Sequence, residues 1–187
     1  MEIVTLAVCQ RPSAPGHANL HLRMRTHAAH ACTRARMREY GPMATLSDAA
    51  EIGSRDGYLA VISTARADGT IQSSLVNAGV LADPQSGQDV VGFVTYGKAK
   101  LGNLRARPQI TVTFRAGWQW TAVEGRARII GPDDPAPGID GERLRLLRRQ
   151  VFTAAGGTHD DWDTYDRVMA EQRRAVVLVT PSRVYSS

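Results

Sequence analysis

Six runs of β-branched and apolar residues, divided by turn chemistry or by short helical stretches, occupy most of the chain beyond Thr45. Gly57 to Ala65 (GYLAVISTA) is the first; RADG supplies a turn, and Thr70 to Leu81 continues as a partner strand, so the two form a hairpin. DPQSG at Asp83 to Gly87 turns the chain into Asp89 to Tyr96 (DVVGFVTY), whose Val and Phe suit a buried sheet position. Gln109 to Arg115 (QITVTFR) alternates, with Ile110, Val112 and Phe114 on one face. AG then makes a tight turn into the long strand Trp118 to Ile130, a second hairpin, and Ala175 to Thr180 (AVVLVT) is the final run. An open sheet of this many strands leaves two unpaired edges, which closure removes. The expected architecture is therefore a closed antiparallel barrel with short helices, of the α+β class and mainly β.

Four helical stretches are expected between these strands. Thr45 to Ser54 carries Ser47 or Thr45 as its cap, with Asp48 and Glu51 in the early turns where the dipole favours acids. After Tyr96, Leu101 and Leu104 are helically spaced and Pro108 stops the helix. PDDPAPG is a loop, and Glu142 to Ala154 and Asp160 to Arg173 are the remaining helices. Trp162, Tyr165 and Met169 share a helical face and read as core. His159 sits before Asp160 and Asp161 at a helix start, where capping or packing is its expected role.

A chain of 187 residues with 43% hydrophobic content has room for one well-buried core, assigned here to residues 43–187. No stretch approaches the roughly 20 apolar residues of a membrane-spanning helix, and MEIVTLAVCQ is too short for a secretory signal. A soluble, cytoplasmic protein with no membrane partner is expected. Cys9 and Cys32 both precede the folded region, so neither a disulfide framework nor a Cys-rich metal site is expected in it.

The net charge of +5 hints at nucleic acid, but its distribution removes the hint. Up to Pro42 six arginines face two glutamates, whereas the rest of the chain holds 17 bases and 16 acids. Residues 1–42 also carry four of the five histidines and show no helical or strand periodicity. Three readings compete for them: translation upstream of a true start at Met43, a basic targeting or nucleic-acid tail, or a His-rich metal site. His17 and His21 have helix-ligand spacing, but Pro15 and Gly16 adjoin them and no further ligand completes a site. A disordered or mis-annotated extension is the expectation, with no nucleic-acid partner.

The stretch from Thr95 to Arg107 carries the chemistry. A strand ends, Gly97 lets the chain turn, and a helix begins with Lys98 and Lys100 in its first turn. A helix N-terminus already offers unpaired N–H groups and partial positive charge, so lysines there worsen the field unless an anion joins them. A phosphate would accept from the Thr95 hydroxyl, the ammonium groups and the backbone donors together.

With its neighbours this stretch resembles a family. TYGKAKLGNLRARP, the alternating strands that follow and the AGWQWTAVEGRARI hairpin are similar to the pyridoxamine-phosphate-oxidase-like split barrels. GTHDDWDTYDRVMAEQRRAVVLVTPSRVY resembles actinobacterial members that bind the deazaflavin coenzyme F420. The resemblance implies a split β-barrel, and implies that Thr95, Lys98, Ala99, Lys100 and Asn103 contact the cofactor's phosphate and edge. It implies that Gln72 and Ser74 lie on the strand lining the ring system. Trp118 and Trp120 match an aromatic strand that reaches the site, often from the second subunit, and a homodimer with interfacial sites follows. Leu75 stands where some relatives carry a polar residue. Arg105, Arg107 and Arg126 are candidates to pair with the glutamate tail of the deazaflavin.

No Ser-His-Asp set, HExxH, paired Cys or post-strand GxGxxG occurs, so hydrolysis and Rossmann-type nicotinamide binding fall away. No catalytic side chain or metal ligand is nominated, because a flavin-like cofactor carries the hydride chemistry itself. The expected function is an F420-dependent oxidoreductase passing a hydride to a small conjugated or unsaturated molecule. FMN in the same fold is the alternative, and a non-catalytic cofactor-binding protein is the rival of another class.

Overall fold

The computed structural model describes residues 44–187; the expectation for residues 1–42 lies outside them. In chain order the elements are α1 (Leu46–Ser54), β1 (Leu59–Ala65), β2 (Ile71–Ala82), β3 (Asp89–Thr95), α2 (Lys98–Ala106), β4 (Gln109–Ala116), β5 (Gln119–Ile130), α3 (Gly141–Ala154), α4 (Trp162–Glu171) and β6 (Ala175–Ser186). The six strands close into a barrel in the order β1-β2-β3-β6-β5-β4, every pairing antiparallel. The expected closed barrel is what forms.

Alternation places Ala60 and Ile62 of β1, Val91 and Phe93 of β3, Ile110, Val112 and Phe114 of β4, and Val177 and Val179 of β6 in one interior core. Leu101 and Leu104 of α2 join that core at 6% and 2% exposure, which fixes this short helix against the barrel. α1 starts at a complete capping box: Thr45 Oγ1 accepts from the Asp48 N–H at 3.3 Å, and Asp48 Oδ2 accepts from the Thr45 N–H at 2.7 Å.

The runs in β3 and β6 are continuous rather than alternating because both faces are covered. Their outer residues Val90, Val176 and Leu178 pack with Leu147 and Val151 of α3 in a second core. Gly79 of β2 and Gly92 of β3 are register partners beneath α3, and a Cβ at Gly79 would lie 2.1 Å from the Ala154 carbonyl oxygen. The glycine pair therefore sets how closely the end of α3 approaches the sheet.

One strand is longer than expected. Reading β6 as Ala175 to Thr180 stops it at Pro181, yet it continues to Ser186. Pro181 lies opposite Gly125, where the β5–β6 register shifts, and such an irregularity accommodates a residue with no N–H. Among the described residues no helix is long and apolar enough to cross a membrane.

Candidate functional site

The barrel splits beside β2. β1 pairs with β2 along the whole stretch from Ile71 to Asn77, whereas β3 pairs with β2 only from Ala78 onward, opposite Phe93. Beyond that point β3 continues alone with β6, through Thr95 paired with Ala175. Into the gap opens a cavity of about 650 Å³. Leu75, Val76 and Asn77 of β2 form one side, and Val94, Thr95, Tyr96, Gly97 and Lys100 form another. The far wall comes from the end of α3 (Val151, Phe152), from Gly156 and Gly157, and from Tyr165, Met169 and Arg174.

Lys100 is the electrostatic focus of the near side. It is only 7% exposed and has neither a hydrogen bond nor an ion pair with any described residue. Its nearest compensation is the Phe93 ring, 5.7 Å from Nζ to the centroid. Burial pushes the ammonium below its usual range, since no partner offsets the lost hydration. The helix start beside it has no side-chain cap and no acid in its first turn, so the N–H groups of Lys98, Ala99 and Lys100 add unpaired donors. Thr95 is 6% exposed; its hydroxyl accepts from the Gly97 N–H at 3.4 Å and keeps its own proton to donate.

The far wall is held by a chain of buried contacts. The Tyr165 hydroxyl donates to the Arg148 carbonyl at 3.2 Å, and Arg148 Nε donates to the Arg174 carbonyl at 2.9 Å. Burial pushes the Tyr165 phenol up to about 12, so it remains a neutral donor. Phe152 lies against Tyr165 with ring centroids 4.9 Å apart. At Asp166, Arg149 Nε at 3.0 Å and Arg145 Nη1 at 2.7 Å tie α3 to α4 and hold the carboxyl below its usual range. A Cβ at Gly157 would lie 2.5 Å from the Phe152 ring, so any other residue there would displace that ring from the wall.

Of the nine residues nominated from sequence, the cavity takes in Thr95 and Lys100. Lys98 and Ala99 are exposed on the outer side of the same turn. Asn103 instead completes a network at the barrel mouth, where its Nδ2 donates to Gln72 Oε1 at 2.9 Å and to Thr64 Oγ1 at 3.2 Å. Gln72 and Ser74 face the interior side of β2 opposite Thr64 and Ile62, outside the cavity lining. Trp118 is 97% exposed at the β4–β5 turn, and Trp120 packs edge-on to Tyr185 at 5.9 Å; neither lines the cavity within one chain. Of the arginines nominated for an anionic tail, Arg105 is bidentate to Asp134 at 2.8 and 2.7 Å and Arg107 Nε donates to the Ala65 carbonyl at 3.1 Å. Arg126 is exposed and outside the lining.

Sequence reasoning missed Asn77, Tyr165, Met169 and Arg174. Tyr165 is indeed core, at 4% exposure, but helical spacing says only that a face is covered, not that a cavity lies beside it. Asp161 caps α4 by accepting from the Thr164 N–H at 2.9 Å, and His159 Nδ1 accepts from the Asp161 N–H at 3.0 Å, so His159 has a structural role. Among the described residues no group of three or more His, Cys, Asp or Glu could hold a metal ion.

Solved structures with this fold include a conserved hypothetical protein from Mycobacterium tuberculosis, 19% identical over 76% of this chain and 84% of that one, with a TM-score of 0.54. A heme binding protein from Mycobacterium smegmatis is 14% identical over 78% of this chain and 55% of its own, with a TM-score of 0.52. A pyridoxamine 5'-phosphate oxidase-related, FMN binding protein from Nostoc punctiforme is 13% identical over 74% and 81%, with a TM-score of 0.50. At these identities the likeness is one of fold. The family model described as pyridoxamine 5'-phosphate oxidase matches residues 46–187, which takes in every strand of the barrel and both walls of the cavity, and the chain belongs to that family.

Proposed function

We propose that the cavity holds a phosphate-bearing, flavin-type cofactor, that this cofactor is the deazaflavin F420, and that the protein is an oxidoreductase acting on a small conjugated or unsaturated molecule. The observation that carries the reading is Lys100, a lysine 7% exposed whose ammonium has no anionic partner, beside unpaired helix N–H groups. A phosphate there satisfies the ammonium, the backbone donors and the Thr95 hydroxyl at once. The choice of F420 rests on the stretch from Gly157 to Tyr185, whose sequence resembles F420-binding members and which supplies Tyr165, Met169 and Arg174 to the wall.

When bound, the reduced cofactor supplies two electrons as a hydride to an electron-poor carbon of the acceptor, and a proton from water completes the reduction. The chain's own residues bind and orient. Lys100 and the Thr95–Gly97 turn anchor the phosphate, and Val76, Val94 and Phe152 give the planar ring an apolar bed that excludes water.

Fluorescence titration with F420 and FMN side by side is expected to give at least about tenfold tighter binding of F420, ~1.4 kcal/mol. Adding conjugated acceptors to the reduced complex is expected to consume the cofactor. Tighter binding of FMN would overturn the cofactor assignment, and no consumption with any acceptor would leave a binding protein.

A homodimer belongs to this proposal. Leu59 and Val61 of β1 and Ile71 and Leu75 of β2 are 37%, 40%, 59% and 61% exposed on one outer face, with Val61 and Leu75 in register. Leu75 also lines the cavity, so a second copy on this face would meet its rim. Val61→Glu is expected to convert a dimer to monomer in sedimentation while the far-ultraviolet circular dichroism stays unchanged; a monomeric wild type would refute it.

A further inference from the structure

The cavity's charge is one-sided. Lys100 and Arg174 are the charged residues in its lining, no carboxylate faces it, and neither cation has an ion pair with a described residue. Lys100 is accounted for by the phosphate of the proposed cofactor. Arg174 is not.

Arg174 is held as a recognition group would be. Its backbone carbonyl accepts from buried Arg148, its Nε donates to Gln172 Oε1 at 2.7 Å, and its guanidinium carbon lies 4.4 Å from the Tyr96 ring centroid. The Tyr96 ring beside its guanidinium carbon and the Nε bond hold the group in place, and the Nε bond leaves both terminal nitrogens for an acceptor. Burial of Arg148 and Tyr165 behind it secures that part of the backbone. A guanidinium presented in this way, beside Phe152, Tyr165 and Met169, matches a planar molecule that carries a carboxylate.

We infer that Arg174 is the specificity residue for the second ligand of the cavity, and that this ligand, the hydride acceptor, is a conjugated carboxylate whose carboxyl group pairs with Arg174 while its apolar plane lies against Phe152, Tyr165 and Met169. The inference rests on the proposed function in leaving Lys100 to the phosphate and in taking the second ligand to be the hydride acceptor. The other source of a carboxylate is the glutamate tail of the deazaflavin itself.

The probes are 2-naphthoate and its methyl ester, equal in their ring system and different in charge, titrated into the full-length protein and followed by naphthalene fluorescence. The wild type is expected to prefer the carboxylate at least about tenfold. Arg174→Gln is expected to erase that preference with little change for the ester, and Arg174→Lys to restore part of it. Loading with F420 of full tail length is expected to preserve the preference. If the preference survives in Arg174→Gln, the assignment to Arg174 is wrong. If loading with tailed F420 abolishes it while loading with the tail-free phosphate form does not, Arg174 reads the cofactor's tail and the acceptor proposal is overturned. Failure of the cofactor reading shows separately, as F420 affinity indifferent to Lys100→Ala.

Discussion

Replacing Lys100 with methionine is expected to weaken binding of the phosphate-bearing cofactor about 100-fold, ~2.7 kcal/mol, while making the cofactor-free protein more stable. Both effects come from one fact: the lysine is largely buried, and no described residue neutralises its ammonium. Without a ligand, its desolvation is an uncompensated cost, and a methionine of similar length fills the same space without a charge. Replacing buried charge by apolar side chains is commonly neutral to stabilising, and here about 1 kcal/mol of gain is expected. With the cofactor bound, the charge-assisted bonds to phosphate reverse the balance.

The pH dependence has a definite sign. Lys100 is depressed in the folded protein, so between its folded pKa and its ordinary value of 10.5 the unfolded chain holds more protons. In that window wild-type stability rises with pH. The advantage of Lys100→Met should therefore be fully present below the depressed folded-state pKa and shrink as pH climbs through it toward 10.5. Urea midpoints at pH 7 and pH 10, with cofactor titrations of both proteins, test the pair of effects. A variant that is less stable at pH 7 and binds cofactor normally would remove Lys100 from the site.

Gly79→Ala is expected to cost about 3 kcal/mol or more, at the upper end of overpacking effects, and to damage the cavity from outside it. The added Cβ would lie 2.1 Å from the Ala154 carbonyl oxygen and 2.6 Å from the Ala155 nitrogen, both backbone atoms that no rotamer change can move aside. The end of α3 must lift, and with it Phe152, Gly156 and Gly157 of the cavity wall. Gly102→Ala is the control, because an exposed position in α2 with nothing within 4 Å gains helix propensity of about 1 kcal/mol at most. Thermal unfolding of the two variants should diverge in sign. A Gly79→Ala protein as stable as the wild type would mean that α3 is not seated on the glycine pair.

The local periods carried most of the fold. Ile110, Val112 and Phe114 alternate because one face of β4 meets the barrel core, and Leu101 and Leu104 recur at three residues because one face of α2 does. Turn chemistry fixed the hairpin ends at Arg66 to Gly69 and Asp83 to Gly87. The end of β6 was not legible, because Pro181 reads as a stop unless the bulge opposite it, a long-range feature, is known.

The site was only half legible, for a physical reason. Lys100 announced itself through a local conflict, a cation at a helix start, and conflicts of that kind are written in neighbouring residues. Asn103 shares the same helix, yet folding turns it to Gln72 and Thr64 from two different strands, and no local pattern encodes that partnership. Arg105 and Arg174 look alike in sequence as surface arginines. Only the tertiary structure gives the first to Asp134 and leaves the second facing the cavity. The sequence by itself determined the barrel, its order of strands and helices, and the anion-seeking turn at Thr95 to Lys100, all from spacings of a few residues. Which charges are spent on partners and which remain for a ligand was decided by contacts between segments more than 20 residues apart, such as Arg105 with Asp134 and Arg148 with Arg174.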